Sequence, residues 1–226
     1  MLNMRLLDRI LSGVVILVAA CVVFLAAKRE LSRSKATDPL RIEFKALDES
    51  AVVKGLVQWL DSSGTVDVVQ FSDFECPFCR GFSETVNGLP DSLRRLVREG
   101  VLVFPLPNHA AAQPAALEFL CADQLQRRLL HDALFDAQDS LARTGVQRVL
   151  ASRGLGMSEG HRSCVRSASG AAIVDSSIAI GNRLGVRATP TVIVGGWLLS
   201  RPPTAAQLEK LVRAAAAGND IRAALR

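Results

Sequence analysis

The sequence predicts an α/β fold with a helical block inserted in its middle, preceded by one N-terminal transmembrane helix. Three observations carry this. An apolar run, Ile10 to Ala27, is interrupted only by Ser12 and Gly13. From Val66 onward, runs rich in β-branched residues alternate with helical periodicity in the order strand, helix, strand, helical block, hairpin, helix. Two turn residues, Gly195 and Gly196, sit between two short apolar runs near the C-terminus.

The N-terminal run comes first. As a helix its residues 10–27 would span about 27 Å, enough for a bilayer core. Arg5 and Arg9 precede it; Lys28, Arg29, Arg33 and Lys35 follow. An uncleaved signal-anchor is the preferred reading, with a nine-residue tail before it and a linker over 28–47 after it. A cleaved signal peptide lacks a small-x-small site followed promptly by polar chain. Val18-Ala19-Ala20-Cys21 resembles a lipidation site, but six further apolar residues follow it. The basic residues are more numerous after the span. By the positive-inside rule alone that would put the large domain in the cytoplasm.

Residues 48–226 then form one domain. Asp48 to Leu60 has helical spacing, with a strand around Leu56–Leu60 as the alternative. Val66–Phe71 predicts a buried strand. The next segment is helical to Val86, broken at Gly88-Leu89-Pro90. Asp91 to Glu99 predicts a helix that exposes Arg94, Arg95 and Arg98 and ends at Gly100. Val101–Phe104 is a second strand. Residues 108–184 form the helical insertion: one long helix over Ala111–Gln138, then Leu141–Ala151, Ser158–Ser167 and Ala171–Leu184. Thr191–Val194 and Trp197–Ser200 make the hairpin, and Thr204–Ala217 a final helix begun by a Thr cap.

The charge balance excludes one function class. The formal net charge is +5, and three of those charges lie in residues 1–40. The globular part is nearly balanced, so there is no case for nucleic acid binding.

Five cysteines stand at 21, 76, 79, 121 and 164. Cys76-Pro77-Phe78-Cys79 falls where a strand gives way to a helix. A cysteine at a helix N-terminus meets free N–H groups and the positive end of the dipole, which favour the thiolate. Cys79, one turn later, is placed to close a disulfide with it. Pro77 fits the first turn, where an N–H is not needed. Half a zinc site is the competing reading. It lacks partners: there is no second Cys-x-x-Cys, and the three histidines, at 109, 131 and 161, are scattered. Phe78 is expected to be exposed, offering apolar contact to unfolded substrates. Phe71, Phe74 and Phe82 are expected in the core, Trp59 and Trp197 in packing. His109 and His131 are packing residues or line a groove; Glu75 is expected to face solvent.

Phe71-Ser72-Asp73-Phe74-Glu75-Cys76-Pro77-Phe78-Cys79 resembles the active-site segment of DsbA-like thiol–disulfide oxidoreductases of the thioredoxin superfamily. Gly185-Val186-Arg187-Ala188-Thr189-Pro190-Thr191 is similar to that family's second signature. Phe104-Pro105-Leu106-Pro107 with His109, Cys121–Gln124 and His131–Phe135 are similar to its helical region. The resemblance runs from about Val66 to the C-terminus. It implies a thioredoxin-like fold with a helical insertion, a cis Pro190 facing the cysteines, and Thr189 flanking and tuning Cys76. It implies no cofactor or metal beyond the redox-active pair Cys76 and Cys79. The partners implied are unfolded or partly folded proteins with cysteines and a membrane or extracytoplasmic redox partner. The domain would face the periplasm from a single span in a bacterial inner membrane. Relatives sometimes pair cysteines where Cys121 and Cys164 stand; a bridge would staple the insertion, and two small buried residues that never meet are the alternative.

Two positions depart from the family. Many relatives carry an acidic residue six positions before the first cysteine, where this chain has Gln70. The best-known strong oxidants have Pro-His between the cysteines, where this chain has Pro77-Phe78. A non-enzymatic assembly factor, or a copper chaperone using the same cysteines, is the competing function class.

Overall fold

The run Val66–Ser72 forms the central strand β3, with Val68, Val69 and Phe71 all buried because both faces of the sheet are covered. The computed structural model describes residues 17–29, 41–47, 50–61, 63–155 and 158–225. Six strands lie in the order β1 (Phe44–Ala46), β6 (Trp197–Leu199), β5 (Thr191–Val194), β3, β4 (Val97–Val103) and β2 (Gln58–Trp59). β3 and β4 run parallel, from Val66 opposite Val97 to Ser72 opposite Val103. Every other neighbouring pair is antiparallel.

Alternation along β3 sends Val66, Val68, Gln70 and Ser72 to one face, and Val69 and Phe71 to the other. On the first face, Val66 and Val68 pack with Phe82 and Val86 of α2 (Pro77–Asn87) and Leu208 and Leu211 of α10 (Ala205–Ala216). On the second, Phe71 and Leu102 pack with Ile180 and Leu184 of α9 (Ala168–Leu184), and with Val53 of α1 (Ser50–Leu56). Gly181 permits that approach of α9: a Cβ there would lie 2.6 Å from the Phe104 ring. The insertion builds its own core around Phe74, Phe119, Leu134, Leu141 and Leu150. Its other helices are α4 (Ala112–Leu120), α5 (Gln124–Asp136), α6 (Leu141–Thr144), α7 (Val146–Ser152) and α8 (Glu159–Val165).

Several expectations need correction. The linker expected over 28–47 ends in a strand: β1 pairs antiparallel with β6, and Ile42 is buried. Between Asp48 and Leu60 both alternatives occur, α1 followed by β2. The helix expected over Asp91–Glu99 stops at Arg94 (α3, Asp91–Arg94), and the chain is a strand from Val97. Long-range partners decide this. Arg98 stacks on Trp59 at 4.2 Å and binds Asp67, while Arg94 binds Glu99 and Asp61. Gly100 therefore ends no helix; it sits within β4, where a Cβ would lie 2.3 Å from Val57 Cγ1. The long helix expected over Ala111–Gln138 breaks at Cys121–Asp123. Gly145, at φ +82°, divides the next into α6 and α7.

The N-terminal unit, Met1–Arg41, is separate. Residues 17–29 are helical and exposed. The remainder of the expected span, residues 10–16, lies outside the described residues, as do 30–40. Among the described residues no helix is long and apolar enough to cross a membrane.

Candidate active site

The parallel strands β3 and β4 end side by side, and the chain leaving β3 makes one turn before α2 begins. Cys76 is the N-cap of α2, in extended conformation, and Pro77 is its first residue. The amide of Cys79 donates to the Cys76 carbonyl at 3.0 Å, closing the first turn. Both cysteines are thiols here, both buried, while Phe78 between them is 75% exposed. That matches the exposure expected of Phe78.

The hairpin brings Thr189 and Pro190 against the motif from 113 residues away. The Thr189–Pro190 peptide bond is cis, as the resemblance implied. The Cys76 thiol donates to the Thr189 carbonyl at 3.3 Å.

The two thiols differ sharply in acidity. Cys76 is lowered from 9.0 to about 5, chiefly by the hydrogen bond from the Cys79 thiol. Burial opposes this; the Thr189 hydroxyl and the amides of Cys79 and Phe78 reinforce it. In the thiol form the Cys76 proton is held by the Thr189 carbonyl, and the Thr189 hydroxyl, which favours the thiolate, has no hydrogen-bond partner. Cys79 is pushed up by burial and by giving its hydrogen bond to Cys76. One thiolate is therefore expected per reduced chain at neutral pH. It is present above about pH 5 and lost by protonation as pH falls through that value. A titration of thiolate absorbance in a Cys21→Ser background, which leaves Cys76 and Cys79 as the free thiols, should show a midpoint near pH 5; no midpoint below about pH 8 would contradict the assignment.

Three further residues, Gln138, Asp73 and Glu75, shape the site, and the sequence did not single them out for these roles. Gln138 is buried, and its amide donates to the carbonyls of Phe74 at 2.8 Å and Cys76 at 2.9 Å. It pins the turn before α2 to the insertion. Asp73 is 1% exposed. Its Oδ1 accepts from the Glu75 amide and its Oδ2 from the Leu106 amide, both at 2.7 Å. The same Oδ2 lies 2.8 Å from His109 Nδ1. Glu75, expected to face solvent, is half-buried, and its carboxylate accepts from the Ala111 amide at the start of α4. Two carboxylates flanking Phe74 thus clamp the Pro105–Ala111 loop against the motif. His109 lines a groove of about 910 Å³ with Leu106, Leu117, Ile178, Val186 and Arg187. His131 does not line it: it is fully buried, with its ring edge-on to Phe74 and Phe135. Gln70 lies on the α2 face of β3, 2% exposed, with no hydrogen bond to its amide.

Cys121 and Cys164 are bonded, with Cα atoms 5.7 Å apart. The bridge joins the end of α4 to α8. One turn back on each helix, Glu118 and His161 form a buried contact of 2.7 Å. Among the described residues, no group of three or more His, Cys, Asp or Glu stands close enough to hold a metal ion.

Comparison with known proteins agrees with this geometry. The family described as Thioredoxin matches residues 61–214. A thioredoxin-like oxidoreductase from Silicibacter pomeroyi DSS-3 is 26% identical, with 77% of this chain and 100% of that one aligned at a TM-score of 0.61. ScsC from Proteus mirabilis, in a transitional conformation, is 18% identical over 96% of this chain and 100% of its own, at 0.63. Oxidised BdbD from Bacillus subtilis is 17% identical over 71% and 93%, at 0.57. The last two likenesses concern the fold. No curated protein matches. The chain belongs to the thioredoxin family, and it carries the cysteine pair, the cis-proline loop and the helical insertion of that family's DsbA-like thiol–disulfide oxidoreductases.

Proposed function

We propose that the chain is a membrane-anchored protein thiol–disulfide oxidoreductase, exchanging disulfides with extracytoplasmic proteins through Cys76 and Cys79. The observation that carries it is the acidic Cys76 thiol at the N-terminus of α2, 3.3 Å from the Thr189 carbonyl of the cis-proline loop. That loop leads directly into β5 and can hold an extended client segment by backbone pairing, the strand-addition mode of recognition. Phe78 supplies an exposed apolar contact beside the reactive sulfur. The Silicibacter pomeroyi protein's description as an oxidoreductase supports the same reading.

In the oxidising direction, a client thiolate attacks Cys76 Sγ of the Cys76–Cys79 disulfide and Cys79 leaves. A second client thiolate attacks the client sulfur and expels Cys76 as a thiolate, leaving the client oxidised and the enzyme reduced. In the reducing direction the Cys76 thiolate attacks a client disulfide, and Cys79 then resolves the mixed disulfide.

The apolar run Ile10–Ala27 is the anchor in this reading, in a bacterial inner membrane with the domain in the periplasm. The Cys121–Cys164 bridge supports that side, since structural disulfides persist in oxidising compartments. The full chain, fused at its C-terminus to a phosphatase active only outside the cytoplasm, should give an active membrane-bound fusion. In detergent it should oxidise or reduce a client protein catalytically. An expressed but inactive fusion would overturn the orientation. Absence of thiol exchange with stoichiometric copper retained on the cysteines would favour the chaperone reading.

A further inference from the structure

The groove of about 910 Å³ takes no part in the exchange of sulfurs, yet it opens beside the residues that do. Arg187 lines it, two residues before Thr189, so their Cα atoms are at most about 7 Å apart. Thr189 carries the carbonyl 3.3 Å from Cys76 Sγ. His109 lines it too, bonded to Asp73, whose main-chain N–H donates to Cys79 Sγ at 3.4 Å. A client joined to Cys76 and lying along the cis-proline loop is therefore led to the groove. The lining is largely apolar: Leu106, Leu117 and Ile178 are only half-buried there and keep surface for a ligand to cover. Its charge has one sign. No Asp or Glu lines it. The exposed Arg187 guanidinium meets no carboxylate among the described residues; its one hydrogen bond is to the Val186 carbonyl at 3.5 Å. Asp73 and Glu75, the carboxylates that bind the Pro105–Ala111 loop, are occupied by the Leu106 and Ala111 amides and by His109.

We propose that this groove selects client segments that carry an acidic residue two positions from the reactive cysteine, set among apolar residues. Arg187 takes the carboxylate, and Leu106, Leu117 and Ile178 take the apolar side chains. The proposal rests on the oxidoreductase reading above and adds the chemistry of its clients. The spacing follows from chain reach. Two residues of extended client cover about 7 Å, the same span that separates Arg187 from Thr189. Successive side chains of an extended segment point to opposite sides, and a groove offers walls on both, so the acidic and apolar residues meet different walls. The pairing is one of sign as well as shape. A lysine at the acidic position would face Arg187 with like charge and nothing in the lining to offset it. Phe78, 75% exposed between the two cysteines, adds apolar contact without charge preference.

The test uses the reduced full chain in detergent and the symmetrical disulfide of the peptide Leu-Glu-Leu-Cys-Leu-Glu-Leu, whose equal flanks make chain direction immaterial. A second peptide has lysine for glutamate, and a third has alanine for leucine. The Cys76 thiolate attacks one peptide sulfur and expels the other peptide as a thiolate. Cys79 then displaces the first, and the appearance of peptide thiol gives the rate constant. The wild-type chain should react roughly tenfold faster with the glutamate than with the lysine peptide, and roughly tenfold faster with leucine than with alanine. Arg187→Glu should reverse the first preference. Ile178→Gln should shrink the second and keep the first. Differences intrinsic to the peptides cancel when the chains are compared. Should Ile178→Gln fail to fold, the exposed Arg187 still decides. An unchanged glutamate-to-lysine ratio in Arg187→Glu, or an unchanged leucine preference in Ile178→Gln, would overturn the proposal and leave the oxidoreductase reading standing. Failure of the wild-type chain to reduce any of the peptides would overturn that reading, and the client preference with it.

Discussion

Replacing Cys76 with alanine is expected to reduce disulfide exchange to the uncatalysed rate, and Cys79→Ser to accumulate mixed disulfides with client proteins. Cys76 is the thiol lowered to about 5, so at pH 7 it is about 99% thiolate, against about 1% for a thiol at 9.0. That hundredfold gain does not make it a hundredfold better attacker. Nucleophilicity falls with basicity, with a slope of about 0.4–0.5, so a drop of about four units loses roughly 40- to 100-fold. The two effects nearly cancel for attack. The gain appears when Cys76 leaves, because a stable thiolate departs faster and favours the reduced enzyme. The pair is therefore expected to be more oxidising than one whose first thiol keeps its ordinary acidity. Cys79, buried and raised, is the resolving thiol, so a serine there leaves Cys76 linked to its client. Non-reducing gels of the two variants, with a client turnover assay, check both outcomes. Undiminished turnover in Cys76→Ala would remove the assignment.

Glu99→Ala should destabilise the domain by about 3 kcal/mol, since it strands charges in a partly buried network. Glu99 is 2% exposed on β4. Its Oε2 accepts from Arg94 at 2.9 Å and from Arg128 at 2.6 Å, and Asp61 binds the same two guanidinium groups at 3.0 and 3.1 Å. Arg128 lies on α5, so the network ties the insertion to the sheet. Removing Glu99 leaves both arginines to Asp61, which is a quarter exposed and screened by solvent. Glu99→Gln keeps a polar oxygen for one arginine and should lose less. Urea unfolding of the two variants gives the comparison. A wild-type midpoint in Glu99→Ala would show that solvent replaces these contacts without loss.

Local signals were sufficient where the decisive partners lie nearby in sequence. The β-branched run of β3, Gly195-Gly196 in its hairpin and Thr204 at the start of α10 each place an element without distant help. Thr204 makes a full capping box with Gln207. The Cys76–Cys79 spacing behaves likewise, because the helix dipole and the first-turn amides belong to the same segment. Phe78 was legible as exposed for the same reason: it falls on the outer side of the turn that buries Cys79.

Other features depend on residues far apart. Val97–Gly100 has residues a helix would accept, yet it is a strand because Val66–Ser72 pairs with it and Trp59 covers Arg98. Glu75 looked like a surface charge until Ala111 was folded onto it, and Asp73 drew no attention without Leu106 and His109. Gln138 reaches the motif across more than sixty residues. By itself the sequence determined the order of the main elements, the redox pair and, through its likeness to known relatives, the cis loop. These follow from backbone preference and short-range spacing. Tertiary structure alone decided which buried polar groups meet: the Asp73–His109 pair, the Glu99 network and the Cys121–Cys164 bridge. Such groups are stable inside only when a distant partner satisfies them, and no local pattern encodes where that partner will be.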